Sequence, residues 1–482
     1  MAYIRQVKTK SGATGVQIIH KLAGQVVKLE HIGSAHNTKE LETLISLAKE
    51  RLRGNQMSLF PNPYGKLKVK LRKSYSKLLF EVLSQEYQKL GFTKLNDPEF
   101  ANLCLARIVE PTSKLDSLRV LADLGIYGSS KTQLFRCLQR SVDQDYRRTI
   151  SNLCFGQTTG SNLSLVLYDV TTLYFEIQEG DGYRKPGLSK ERRLEPQIVI
   201  GLLVDRSGFP LGLQSFTGNT AETKTIIPLL KEFQKEHSLK DVTVVADAAM
   251  LSQTNLETLI KHGYFFIVCS RLAKIPYDIA QFQKQGSLVD NQIVDTRQKS
   301  GYRIIYQYRE KRAKLDIKNI EGQVAKAKRM VNGLVPVKRN RFLTIGSERK
   351  RLNQELIDKA YALAGIKGYI TNLDFPPEEI ISAYRQLFQI EASFRMAKSD
   401  LKARPIFHRK RDAIEAHLTI VFTALAVSRQ LENLTGLSIK KLVKILRPVR
   451  SGVVTINGTE YPADPEITED IHNLLQILKS GH

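Results

Sequence analysis

The stretch that decides the fold is LVLYDVTTLYFEI, residues 165–177. Its aliphatic, β-branched and aromatic residues predict a buried strand. Asp169 interrupts that run near its middle, although aspartate disfavours strands and is seldom buried. Downstream, QIVIGLLVD and PLGLQSFTG read as two further strands, with RSGFP (206–210) as the hairpin turn between them. TAETKTIIPLLKEFQKEH has a helical pattern, and DVTVVADAAM reads as a buried strand ending at Asp247. SQTNLETLIKHG reads as a helix capped by Ser252 and stopped by Gly263, and YFFIVCS as one more buried strand. Three successive strands followed by alternating helices and strands predict a mixed α/β sheet.

On the N-terminal side, residues 1–70 form a basic segment with a strand at TGVQIIHKL, a helix at NTKELETLISLAKERLRG and a linker at MSLFPNPYGK. Residues 71–158 read as helical. SKLDSLRVLADLG, with Ser113 and Asp116 spaced as a capping box, is followed by the breaker IYGSS and the basic helix KTQLFRCLQR. Helix, short turn and basic helix outline a helix-turn-helix, although a plain helical hairpin has the same pattern. Residues 159–270 hold the α/β pattern described above. Residues 271–365 interrupt it with a β-containing insertion, of which QKSGYRIIYQYRE alternates as a strand does. The pattern resumes at 366–440 with KGYITNL and one long helix from PPEEI through ISAYRQLFQIEASFRMAKSDL, its first turn rich in Pro and acids. Residues 441–482 read as a C-terminal tail.

The chain has 482 residues, enough for two to four domains. Lysine and arginine outnumber acids 73 to 48, a surplus of 25 that favours a polyanionic partner through counterion release. Residues 270–360 alone contain 21 basic and 9 acidic side chains, so nearly half of the surplus lies in the insertion. No apolar run reaches the length of a membrane span, and MAYIRQVKTK lacks the apolar core of a signal peptide, so a cytoplasmic protein with no membrane partner is expected. Cys104, Cys137, Cys154 and Cys269 are scattered without zinc-ligand spacing and read as buried thiols.

Three acids carry the candidate chemistry: Asp169 inside the first strand, Asp247 at the end of another, and Glu391 on the long helix. Each also has a plain structural reading, as a sheet-edge residue, a turn residue and an exposed helical acid. In a single continuous helix Leu387, Ile390, Phe394, Ala397 and Leu401 make the buried stripe, and Tyr384, Glu391, Arg395 and Lys398 line the face beside it. Carboxylates suit Mg²⁺ or Mn²⁺, and two such ions activate a water or a 3′-hydroxyl and stabilise the leaving oxygen of a phosphodiester. Without metal, three acids would repel the nucleic acid that the basic surplus attracts. An acid pair of the glycosidase kind needs no such surplus and usually brings aromatic sugar platforms, whereas this chain has no tryptophan.

These segments resemble the DDE transposases of bacterial insertion sequences, in particular the IS-four-like group. YDVTT resembles the first acidic motif, VVADAAMLSQTNL the second, and YRQLFQIEASFRMAKSDLKARPIFH the glutamate motif. GLSKERRLEPQIVIGLLVDRSGFPL and FTGNTAETKT match the stretch between the first two. Tyr384, Glu391 and Lys398 fit the spacing of the group's signature. Its arginine position holds Leu387, with Arg385 and Arg395 nearby, and Ala248 and Ala249 stand where a glycine often follows the second aspartate.

The resemblance implies an RNase H-like core split by a β-rich basic insertion and preceded by a mainly helical DNA-binding region. It implies Asp169, Asp247 and Glu391 as catalytic ligands of two Mg²⁺ or Mn²⁺ ions, with Tyr384 and Lys398 at a terminal phosphate; Arg395 is added as a phosphate contact on its position. The implied partners are double-stranded DNA, as terminal inverted repeats and target, and a second copy of the chain in a synaptic homodimer, associated with the nucleoid when bound. The implied reaction is metal-dependent hydrolysis at the element's ends followed by strand transfer. Two other readings share these residues: a DNA-binding protein that does not cut, and an RNase H-like nuclease without strand transfer.

Overall fold

The computed structural model describes residues 2–480 except 10–11, 23, 54–68, 159–164, 189–193, 238, 240–241, 248–251, 271, 273–275, 287, 298–301, 346–349 and 457. The expected linker at 57–66, and Ala248 and Ala249, lie outside the described residues. The chain divides into two compact units, Met1–Lys70 with Val454–Tyr461, and Leu71–Val453 with Pro462–His482.

In the first unit β1 (Ala2–Lys8), β2 (Thr14–Leu22) and β3 (Gln25–Ala35) form an antiparallel sheet, followed by α1 (Thr38–Arg53). Val16, Ile18 and Ala48 are buried between sheet and helix, with Leu44 and Ile45 packed against them. Asn37 Oδ1 accepts from Glu40 N (2.9 Å), and the Glu40 carboxylate reaches back to His36 N (2.9 Å), which starts the helix. The sequence predicts β2 and α1. It does not predict β1 and β3, whose side chains are mostly exposed and so lack an apolar face.

After β4 (Val69–Tyr75) come five helices, α2 (Lys77–Lys89), α3 (Pro98–Val109), α4 (Ser117–Asp123), α5 (Lys131–Asp143) and α6 (Tyr146–Thr158). Asp97 caps α3 by accepting from Phe100 N (3.1 Å). It also accepts from Arg140 on α5 (2.9 Å) and Tyr146 on α6 (3.0 Å), which ties three helices to one buried carboxylate. The capping box in this region is Ser130 with Gln133 at the start of α5. Ser113 does accept from Asp116 N (3.0 Å), but the Asp116 carboxylate turns to Thr112 and Arg119 instead.

The large sheet begins with β5 (Leu165–Tyr174), β6 (Gln197–Val204) and β7 (Pro210–Thr217), an antiparallel meander. Then follow α7 (Ile226–His237), β8 (Thr243–Ala246), α8 (Gln253–Lys261) and β9 (Phe265–Ser270). β8 pairs in parallel with β5, and β9 in parallel with β8. Counted from β5, the spatial order is third, second, first, fourth, fifth, with only the second strand reversed. This is the RNase H-like arrangement. The caps expected here are present: Ser252 Oγ accepts from Asn255 N (3.2 Å), and Gly263 has φ +77.

The segment after β9 contains α9 (Tyr277–Gln285), β10 (Ile293–Arg297), β11 (Arg303–Tyr308), α10 (Glu310–Val331), β12 (Leu343–Ile345), β13 (Lys350–Leu352) and α11 (Gln354–Ala362). It contains strands as expected, but it is not β-rich, because its largest element is the 22-residue α10. β10 and β11 also continue the core sheet rather than forming a sheet of their own. β14 (Ile366–Thr371) pairs antiparallel with both β9 and β11, giving the order β10-β11-β14-β9-β8-β5-β6-β7.

The expected single helix at 377–401 is three pieces: α12 (Pro377–Arg385), α13 (Phe388–Arg395) and a π-helical turn at Met396–Asp400. Between the first two, Leu387 N bonds to Tyr384 O (3.1 Å) and Gln389 N to Gln386 O (2.9 Å). These tighter i→i+3 bonds break the periodicity. α14 (Arg411–Thr435) is buried almost all round from Ile414 to Leu431 and packs on α3, α5 and β7. Residues 441–482 are not a loose tail. α15 (Ile439–Leu446) and α16 (Glu469–Ser480) bury Leu442, Leu446, Leu474 and Leu478 in the main core. Among the described residues, no helix is long and apolar enough to cross a membrane.

Candidate active site

The register of the sheet places the two aspartates. β5 pairs with β8 from Leu165↔Thr243 to Tyr168↔Ala246, and one step further stand Asp169 and Asp247. β5 does not stop there, because it continues against β6 as far as Tyr174. Asp169 is therefore mid-strand on one side and at the mouth of the sheet on the other. Neighbouring strands lie about 4.8 Å apart, and side chains at paired positions project to one face. Asp169 is half-buried, and one of its oxygens accepts from Val170 N (2.7 Å); Asp247 is exposed. Asp247 follows the carboxyl end of β8, and Asp169 stands where the parallel pairing of β5 with β8 ends, at the edge where open α/β sheets build their sites.

Glu391 lies in the first turn of α13, exposed, on a helix that packs against β5 and β6. That helix is held at both ends. At its first turn, Arg429 of α14 donates to Gln389 Oε1 (2.8 Å), and also to Gly208 O (3.3 Å) and Ser207 O. Ser393 Oγ also donates to Gly208 O (2.7 Å). Gly208, in the expected RSGFP turn, has φ +84, and a Cβ there would run into the Arg429 guanidinium. Behind the helix, Arg107 donates to Leu401 O (3.4 Å), and the buried His417 ring bonds Ala403 O (3.1 Å). Among the described residues, no group of three or more His, Cys, Asp or Glu side chains is gathered closely enough to hold a metal ion. The register brings Asp169 and Asp247 to neighbouring positions; Glu391 is not gathered with them.

The break after Arg385 separates Tyr384 from the face of Glu391. The expected stripe holds, with Leu387, Ile390, Phe394, Ala397 and Leu401 all buried, but Tyr384 is buried as well. Its ring packs edge-on against Tyr369 (5.1 Å between centroids), and the Lys367 ammonium lies 4.3 Å over it. Burial pushes its phenol well above the usual range, with Cys269 and Asp247 adding to the shift, and its hydroxyl bonds to the Cys269 thiol. Arg395 is exposed and Lys398 half-buried in the π-helical turn. Of the arginines flanking Leu387, Arg385 donates to Gln307 Oε1 (3.2 Å) and acts electrostatically on Lys367 and Tyr369. Lys367 was missed by the sequence reading. Its signal is a cation inside the strand IKGYIT, the same kind of anomaly that marks Asp169.

A family model described as the transposase DDE domain matches residues 161–427, a span that includes all three acids. The chain belongs to the transposase DDE domain family. This is a family of enzymes that cleave and transfer DNA strands, and such enzymes generally use divalent metal ions. Three solved structures resemble this DDE-domain protein at low identity. One is a piggyBac transposase synaptic complex with hairpin DNA (11% identical, 77% of this chain and 79% of that one, TM-score 0.40). Another is a Mos1 transposase paired-end complex with the left transposon end (13%, 48% and 68%, TM-score 0.17). The third is Marinitoga piezophila Argonaute with a guide RNA (10%, 80% and 67%, TM-score 0.21). No curated protein sequence matches the chain.

Proposed function

We propose that the protein is an insertion-sequence transposase of the IS-four-like group, which hydrolyses a phosphodiester at the element's ends and transfers the freed 3′-hydroxyl to target DNA. The observation that carries this reading is the register that makes Asp169 and Asp247 neighbours at the sheet's carboxyl edge, inside the family match. Their hard oxygen donors on adjacent strands fit Mg²⁺ or Mn²⁺, and Glu391 on α13 is the third donor in this reading. Bound there, two ions would supply Lewis acidity for the attacking and leaving oxygens.

The remaining roles belong to the chain's own side chains. Arg395 and Lys398, one and two turns beyond Glu391, hold phosphates of the reacting strand. Tyr384 acts indirectly, as a buried wall beneath Lys367. α4 and α5 read the terminal inverted repeats, the basic segment around α10 follows the DNA backbone, and two copies pair the ends in a homodimer. Glu391 is exposed, and among the described residues the three acids are not gathered as one group, which favours a second reading: a DNA-binding protein that does not cut.

A cleavage assay separates the two. Purified protein and Asp247→Asn are incubated with linear DNA carrying both boundaries of the element, with Mg²⁺ or with EDTA. Metal-dependent nicks at the boundary, absent in the variant, support the transposase. Binding of the ends without nicks in Mg²⁺ or Mn²⁺ supports the second reading.

A further inference from the structure

Beside the acids, one strand further across the sheet, lies a cavity of about 370 Å³. The end of β9 and the start of β14 form one wall, α10 another, and Arg341 with Phe342 a third. Lys367 stands at the near side, beneath the influence of Asp247, while Arg312 and Arg341 line the far walls. Ser270 and Asn319 add neutral polar groups, and Phe342 an apolar floor.

We propose that this cleft takes the sugar–phosphate backbone of a DNA strand passing the Asp169–Asp247 edge, with Lys367 as its phosphate contact nearest the acids. The proposal rests on the transposase reading for the DNA's identity and on the cleft itself for the contact. Three cations face one cavity, and the one acid lining it, Asp316, is paired with Arg312 (3.4 Å) and accepts from Gly365 N (3.1 Å). Lys367 is wedged between the Tyr384 and Tyr369 rings, 4.3 and 5.5 Å from their centroids, without an ion pair of its own among the described residues. Burial and the nearby Arg312 and Arg385 lower its proton affinity, opposed by Asp247. Lys367 and Arg341 thus line the cavity without an ion pair among the described residues, and a phosphate diester is the anion a basic DNA enzyme meets. The cavity's volume is within the range of about 300–1,000 Å³ usual for ligand sites. Sequence gives no base-specific role to these groups; phosphate contact positions the strand.

The test is the salt dependence of DNA binding, measured by fluorescence anisotropy in Ca²⁺ or without metal. The probe is a duplex spanning one boundary of the DNA segment that encodes this chain. Lys367→Gln and, on the opposite wall, Arg341→Gln are each expected to weaken binding. Each is expected to reduce the slope of log affinity against log salt by about 0.9, the loss of one phosphate contact. Lys367→Arg is expected to restore the slope. A purely structural role for Lys367 under Tyr384 would leave the slope unchanged. Wild-type slopes in both glutamine variants overturn the proposal, whether or not the protein cleaves. Reduced slopes in a protein that never cleaves support the cleft and defeat the transposase reading, and a wild type that does not bind the duplex defeats both.

Discussion

The two aspartates and the glutamate helix are positioned by different means. Asp169 and Asp247 are set by strand register, in which each hydrogen-bonded pair fixes the next, so their adjacency follows from four preceding pairs. Glu391 and Tyr384 depend on helical phase, which accumulates along the chain. A single tightened turn at Gln386–Leu387 is enough to send Tyr384 into the core while Glu391 stays exposed. Register tolerates little local variation; phase carries every irregularity forward. The sheet half of the candidate site is therefore rigid by construction, and the helix half is held by clamps from α14, α3 and the Gly208 turn.

The largest effect expected from this contrast is on chemistry. Asp247→Asn should reduce boundary cleavage at least about 100-fold, the scale lost when one group stabilising transition-state charge is removed, while leaving DNA binding intact. Equal loss of binding, seen by anisotropy, would show that Asp247 supports the sheet edge instead. Next comes the clamp. Gly208→Ala forces a left-handed residue, costing about 1–2 kcal/mol for the backbone alone, and drives a methyl into Arg429. The urea midpoint should fall, and cleavage should fall with it even though Gly208 is remote from the aspartates in sequence. An unchanged midpoint would break the idea that the turn holds α13.

A smaller effect is expected from pH. Burial lowers the His408 imidazole to about 4, with Lys114 and Arg107 adding to the shift, and drives His417 down as well. Both are neutral in the folded chain and titrate near the ordinary value of about 6.5 when unfolded. The unfolded state then binds more protons, so stability present above pH 6.5 is lost as pH falls towards 4. Thermal midpoints of wild type and His408→Gln between pH 7 and 4.5 should diverge at the high end and converge at the low end; parallel curves would show that His408 does not set this pH response. The smallest effect is at Ser252, the cap of α8 after the second aspartate. Ser252→Ala should cost about 1 kcal/mol of stability and leave the slope of denaturant unfolding unchanged.

Legibility followed the same division. The strands that are buried on both faces, β5, β6, β8 and β9, stand out as apolar runs, and the acids stand out within them. α10 did not stand out, because its buried positions are Ala313, Ile320, Ala327 and Met330, too small and too widely spaced to mark an apolar face among the lysines. Lys367 passed as an ordinary strand lysine, since nothing local reveals that Tyr369, Tyr384 and Asp247 surround it.

By itself the sequence determined the mixed α/β core, the strands that carry Asp169 and Asp247, the caps at Ser252 and Gly263, and the excess of cations. All of these are written in runs of a few residues, where side-chain period and turn chemistry act locally. Only the tertiary structure decided that β10 and β11 extend the same sheet, that the helix bearing Glu391 breaks before it, and that Lys367 faces a cavity beside the acids. Those outcomes depend on contacts between residues far apart in the chain, whose packing selects one arrangement from several that the local pattern permits.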